Sequence, residues 1–83
     1  MDTKMFSKNI AFIVFKLSKK STSNIDKALR IIGVKKLTFQ SWLNDLDLPD
    51  MEYLQKIVVS TRRELKLEIT TEDLLHRDLE QLV

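Results

Sequence analysis

Apolar residues recur every three or four positions along most of the chain, which is the spacing of one face of an α-helix. The first such stretch predicts a helix from Ser7 to about Lys19. Its predicted core face is Ile10, Ile13, Val14 and Leu17. The run from Ile10 to Phe15 also fits a buried strand, but its polar flanks continue the helical period, so we predict a helix.

The second helix is predicted from about Ile25 to Ile32, after a polar loop. Ser23 and Asp26 have the spacing of a capping box at its start. Gly33 indicates its end, because glycine accepts the left-handed conformation common just past a helix. The predicted apolar face is Ile25, Ala28, Leu29 and Ile32.

The third helix is predicted from about Lys36 to Asn44, in the stretch KKLTFQSWLNDLDLP. Its apolar stripe is Phe39, Trp42 and Leu43, and Val34 in the preceding turn is predicted to be buried between the two helices. Because Phe39 and Trp42 then point inward, a polar side points outward. That outer side is Lys36, Leu37, Gln40 and Ser41, with Asn44 at the far end.

The second half of the chain continues the helical pattern. Pro49 blocks the third helix and Asp50 caps a fourth, which fades between Ser60 and Leu65. Its predicted stripe is Met51, Leu54, Ile57 and Val58. Residues 65–70 alternate as a short extended piece, and Thr70 or Thr71 then caps a last helix to about residue 82. Its apolar side is Leu74, Leu75, Leu79 and Leu82.

The fold class predicted from these elements is all-α, a compact bundle of about five helices forming one domain over residues 1–83, with its core in residues 7–65. One Gly and one Pro among 83 residues agree with helices joined by short loops. The longest apolar run is far too short for a membrane span, and no secretion signal is evident. We therefore expect a cytoplasmic protein.

The chain has few of the residues that commonly form disulfides, metal sites or catalytic sites. The absence of cysteine excludes disulfides and thiolate metal sites, and His76 alone cannot build a metal site. Asp45, Asp47 and Asp50 lack the glycine and ligand spacing of a calcium loop. With no glycine-rich phosphate loop either, we expect neither an enzyme nor a cofactor.

The charges are divided unevenly along the chain, although the net charge is only +2. Residues 1–44 hold nine Lys or Arg and two Asp, whereas residues 45–83 hold five basic and ten acidic residues. This asymmetry predicts a basic binding face on the first half. The alternative is a pair of ordinary solvated faces.

A helix, a glycine-bearing turn and a helix with a polar outer side form the usual helix-turn-helix pattern. In its details the stretch from Ala28 to Ile57 resembles the Xre family of helix-turn-helix regulators, the group of the lambda-like phage repressors. Nine positions agree with that family in order and spacing: Ile32, Gly33, Val34, Phe39, Trp42, Asn44, Pro49, Leu54 and Ile57.

The chain departs from the family pattern at four positions. Lys35 replaces a capping Ser or Thr, Ile25 replaces a phosphate-contacting Gln, Leu29 replaces Ala, and Asp45 replaces Gly. Asp45 and Asp47 would repel a nearby phosphate.

The resemblance implies a lambda-repressor-like domain that binds double-stranded DNA through the third helix. It places Lys36, Leu37, Gln40 and Ser41 at base edges, with Lys35 and Asn44 nearer the backbone. Lys36 suits guanine, Gln40 suits adenine, and Leu37 suits a thymine methyl group. Candidate phosphate contacts are Lys16, Lys19, Lys20, Lys27 and Arg30. The alternative is that these polar side chains are simply solvated and contact no DNA.

A small bacterial or phage repressor is therefore the expected function. The alternative is a protein-interaction module on the same scaffold, such as an antitoxin, an anti-repressor or another phage-encoded inhibitor. A homodimer is expected through Leu75, Leu79 and Leu82 of the last helix, with Leu67 and Ile69 adding an edge-strand pairing between subunits. The same leucines equally suit closure of a monomeric core.

Overall fold

The computed structural model describes residues 4–21 and 24–82 of the chain. Their regular structure is entirely helical, which confirms the predicted all-α class. Six helices follow one another: α1 Lys4–Ser21, α2 Ile25–Ile32, α3 Lys36–Leu43, α4 Met51–Leu65, α5 Thr71–His76 and α6 Leu79–Leu82. No helix within the described ranges is long and apolar enough to cross a membrane.

Side-chain caps explain where several helices begin. The Asn24 side chain accepts a hydrogen bond from the Asp26 amide at 2.8 Å, so Asn24 caps α2; the predicted cap Ser23 lies outside the described residues. Asp50 caps α4 as predicted, accepting from the Tyr53 amide at 2.9 Å. A reciprocal capping box starts α5 at Thr70.

Helix α1 lies at the centre of the fold and packs against each of the other five helices. Its four predicted core residues are all buried, which confirms the helical interpretation of the run from Ile10 to Phe15. The described helix is longer than predicted, because it begins at Lys4 and continues to Ser21. The added N-terminal turn carries Phe6, which is also buried in the core.

Three residues predicted to face the core are exposed instead: Ile25, Leu43 and Met51. Each is the first or last residue of its helix. Periodicity assigns a residue to a side of its helix, but it does not say whether a neighbouring helix reaches far enough to cover that end. The prediction was wrong at these three positions for that reason.

The predicted last helix is divided into α5 and α6, and Asn9 on α1 explains the break. The amide nitrogen of the fully buried Asn9 side chain donates to the carbonyl oxygens of Leu74 at 2.8 Å and Arg77 at 2.6 Å. Its oxygen accepts from the Leu79 amide at 3.0 Å. Arg77 is extended, so Asn9 satisfies backbone groups that an unbroken helix would pair internally.

An ion pair supports the same junction from the surface. Lys8 Nζ lies 2.6 Å from an Asp78 carboxylate oxygen. This hydrogen bond lowers the pKa of the Asp78 carboxyl and raises the pKa of the Lys8 ammonium group. Since the Asp78 pKa is depressed, the pair stabilises the fold above the ordinary Asp value of about 3.9, and the contribution is lost as pH falls through the folded value.

Of Leu75, Leu79 and Leu82, which are predicted to form a dimer surface, only Leu79 is buried in the chain's own core. Leu74 and Leu79 are buried, Leu75 is half-buried, and Leu82 is exposed. The predicted edge pairing by Ile69 is wrong, because Ile69 is buried and lies in no strand. Its amide donates to the Leu67 carbonyl at 3.1 Å, and its carbonyl accepts from Arg62 Nε at 3.2 Å.

We expect Asn9→Leu to lower the free energy of unfolding by about 2–4 kcal/mol, because it leaves the Leu79 amide and two carbonyl groups without partners at similar side-chain volume. Urea denaturation followed by circular dichroism measures this. Exposed Lys16→Leu is the matched control and should change stability little. A loss below about 0.5 kcal/mol for the Asn9 variant would contradict the assigned role.

Candidate nucleic-acid interface

A tight turn around Gly33 joins α2 to α3, as the sequence predicts. Gly33 has φ +71° and its amide donates to the Arg30 carbonyl at 3.1 Å. The next amide, that of Val34, donates to the Leu29 carbonyl at 2.9 Å. The Val34 side chain is buried, so it fixes the two helices against each other.

Two aromatic residues hold the inner side of α3, and both are buried as predicted. Trp42 meets the ring of Phe6 edge-on at a centroid distance of 5.3 Å, and the ring of Tyr53 at 5.4 Å. Such edge-to-face pairs add about 0.5–1.5 kcal/mol each beyond area burial. The Trp42 side chain thus holds α3 to α1 and α4, and Phe39 belongs to the same buried core.

The opposite side of α3 faces solvent. Leu37 is 78% exposed, and Lys36 and Gln40 beside it are also exposed. Ser41 is half-buried, and its carbonyl accepts from the Leu46 amide at 2.9 Å. The flanking residues Lys35 and Asn44 are exposed at the two ends of the helix. The five exposed residues of the predicted set therefore lie along one accessible helix side and its ends.

A shallow groove between α2 and α3 gathers positive charge at the start of this surface. Its lining includes Arg30, Lys35, Lys36 and Asp26. Lys36 Nζ lies 3.9 Å from an Asp26 carboxylate oxygen, and both side chains are exposed. A solvent-exposed pair of this kind contributes only about 0–1 kcal/mol, so Lys36 is able to exchange Asp26 for another anion at little cost.

The other predicted phosphate contacts differ in their surroundings. Lys27 is exposed on α2. Lys20 Nζ donates to the Glu64 carbonyl oxygen, near the C-terminal end of α4, where a cation suits the helix dipole. Lys16 and Lys19 lie over phenylalanine rings of α1, so they belong to the surface of that helix. The structure thus does not bring all the predicted cations together.

The loop after α3 contains both acidic and apolar residues, and our sequence analysis did not identify it as an exposed surface. Asp45 has φ +56°, a left-handed conformation that non-glycine residues seldom adopt. Its carboxylate and the Trp42 carbonyl are both within reach of the Ser7 hydroxyl, whose one proton serves one acceptor at a time. Leu46 follows and is 76% exposed. Its position between Asp45 and Asp47 was a sign of exposure in the sequence.

Comparisons with protein-family models, curated proteins and solved structures find nothing that matches this chain. The class of the protein is therefore described from its structure alone. It is a small all-helical domain in which a glycine turn joins two helices and leaves the second with one buried and one exposed side.

We expect Gly33→Ala to lower the free energy of unfolding by about 1 kcal/mol. The added methyl group has room, because Lys56 Cδ is the nearest atom at 3.8 Å, so the cost is the left-handed conformation alone. Thermal and urea unfolding measure it. Lys66→Gly, at φ +59°, is the converse control and should stabilise the domain; a neutral or stabilising Gly33→Ala would contradict this account.

Proposed function

We propose that the protein is a sequence-specific DNA-binding transcriptional regulator of the Xre kind, which inserts the outer side of α3 into the major groove. The observation that carries the proposal is the two-sided character of α3. Phe39 and Trp42 are buried, while Lys36, Leu37 and Gln40 are exposed and unobstructed. The major groove, about 12 Å wide, admits one helix presented in this way.

The exposed side chains of α3 suit different base edges in the major groove. Lys36 donates to the guanine acceptors, Gln40 pairs with adenine through two hydrogen bonds, and Leu37 contacts a thymine methyl group. Ser41, being half-buried, reaches a base edge only at the margin of this surface. Lys35 and Asn44 stand where the two phosphate backbones would pass.

Positive side chains around the turn supply the contacts that do not depend on sequence. Lys27 and Arg30 on α2 are exposed for this role. Lys20 would have to leave the Glu64 carbonyl, and Lys19 the Phe15 ring, before either met a phosphate. We therefore expect Lys27 to contribute more to phosphate binding than Lys19 or Lys20.

The conformation of Asp45 supports the resemblance to the Xre family. That family commonly has Gly at this position, and Asp45 adopts the positive φ that favours Gly. A homodimer that reads two half-sites remains part of the proposal, because one small reading helix covers few base pairs. Of the leucines predicted for that homodimer, Leu75 and Leu82 are accessible among the described residues. Repression by blocking polymerase is the simplest mechanism.

Selection from a random duplex library tests the reading role. We expect Lys36→Ala and Gln40→Ala each to relax preference at one base position of the selected site, at a cost of about 1–3 kcal/mol. Exposed Gln55→Ala on α4 is the matched control and should bind as the wild type does. Uniform weakening across all sequences would reduce Lys36 and Gln40 to phosphate contacts.

The phosphate role is tested by salt dependence. Lys27→Ala should weaken binding to every duplex and lower the slope of log affinity against log salt by about 1, because one fewer counterion is released. Lys66→Ala, at the end of α4, should leave the slope unchanged. Equal slopes for the wild type and the Lys27 variant would remove Lys27 from the interface.

A second candidate function is a protein-interaction module, such as an antitoxin, an anti-repressor or another phage-encoded inhibitor. It is favoured by the exposed Leu37, Leu46 and Met51, which line α3 and the loop after it among three aspartates. A gel shift at low and moderate salt separates the two candidates. Absence of duplex binding even at low salt would contradict the DNA-binding proposal and favour this one.

A further inference from the structure

The outer side of α1 carries an apolar groove bordered by lysines. It has a volume of about 740 Å³, and its lining is Lys8, Ala11, Phe12, Phe15, Lys16 and Glu80. Phe15 is 56% exposed and Phe12 is half-buried. We call this surface the α1 groove. Exposed apolar surface of this kind, with two phenylalanine rings on one side of a helix, is typical of a site that a partner covers.

The positive charge of the α1 groove lies beside its two rings, whereas Glu80 and Asp78 offset Lys8 at its other end. Helix α1 contains five lysines and no acidic residue. Lys16 Nζ lies 5.6 Å from the centre of the Phe12 ring, and Lys19 Nζ lies 4.6 Å from that of Phe15. At the other end Lys8 is paired with Asp78. The cations beside the two rings, Lys16 and Lys19, have no ion-pair partner among the described residues.

Exposed apolar residues lie among acidic ones in residues 43–51, from the last residue of α3 to the first of α4. We call this segment the acidic leucine loop. Leu46 is its most exposed apolar residue, with Leu43 and Met51 exposed on either side. Between Lys36 and Lys56 the chain has four acidic residues and no basic one. Three of those four, Asp45, Asp47 and Asp50, lie within the loop. The loop is therefore an apolar projection beside carboxylates, whereas the Phe12 and Phe15 rings of the α1 groove lie beside the ammonium groups of Lys16 and Lys19.

The loop is held in a shape that presents Leu46. The Leu46 amide donates a hydrogen bond to the Ser41 carbonyl, and the preceding residue, Asp45, has a left-handed backbone conformation. Asp47 and Asp50 each accept a backbone amide within or beside the loop. A segment that is already ordered loses little conformational entropy when it binds.

The loop of one chain does not reach the groove of the same chain. The contact between Ser7 and Asp45 holds the loop beside the first turns of α1. In the folded chain Leu46 is 76% exposed and Phe15 is 56% exposed, so the loop does not cover the groove of its own molecule. A loop that fills the groove must therefore come from a second molecule.

From this complementarity of shape, polarity and charge we infer that the protein self-associates, with the acidic leucine loop of one copy seated in the α1 groove of another. The contact joins two unlike surfaces, and each copy carries one of each. A contact made by one short loop predicts a weak, concentration-dependent association, and its ion pairs predict weakening by salt. The inference does not rest on the proposed DNA binding.

Sedimentation equilibrium of the wild type across a wide range of concentrations gives the first test. The average mass should rise above the 9.8 kDa of one chain as concentration increases. Phe15→Glu places a carboxylate in the groove and Leu46→Glu removes the leucine from the loop, so each variant alone should remain monomeric. Both residues are exposed, and circular dichroism verifies that the variants fold.

Mixing the two variants gives the decisive test. The intact loop of the Phe15→Glu chain fits the intact groove of the Leu46→Glu chain, so an equimolar mixture should form a 1:1 heterodimer and nothing larger. Val59→Glu, at a side chain that is also 56% exposed, is the control and should associate as the wild type does. A wild type that is monomeric throughout, association that survives both variants, or a mixture that stays monomeric would each overturn the inference.

Discussion

The packing of Trp42 is the contact on which the rest of the structure depends. Its ring lies edge-on to Phe6 of α1 and Tyr53 of α4, so one side chain holds α3 to two neighbouring helices. Because α3 is short and is attached by its inner side, Lys36, Leu37 and Gln40 on its outer side are exposed. The same arrangement places the acidic leucine loop directly after α3, where it too meets solvent.

The second half of the chain completes the core beneath this surface. Asn9 joins α1 to the junction of α5 and α6 through three hydrogen bonds, and Leu74 and Leu79 close the core from that side. Their burial inside one chain reduces the apolar surface left for a dimer at the C-terminus. Exposed apolar residues occur on α1, on α3 and in the loop after it, and also at Ile25, Val59 and Leu82.

The inward sides of α1 to α4 were predictable because helical periodicity is a local property, and Ile10, Ile32 and Trp42 show it clearly. The break after His76 was not predictable, since its cause is the amide of Asn9, distant along the chain. Coverage of helix ends such as Met51 also depends on neighbours. For the candidate site, the exposed side of α3 was predicted, but the separate environments of Lys19, Lys20 and Lys27 were not.

The central claim is that the exposed side of α3 is the surface that meets DNA. Its most direct test is to follow the backbone amide resonances by NMR while a selected duplex is added. The account predicts that the largest shifts fall on Lys36 to Ser41 and the adjoining turn, and that these exceed any shift at Leu74 to Leu82. Shifts concentrated on α5 and α6, or no shifts at low salt, would contradict it.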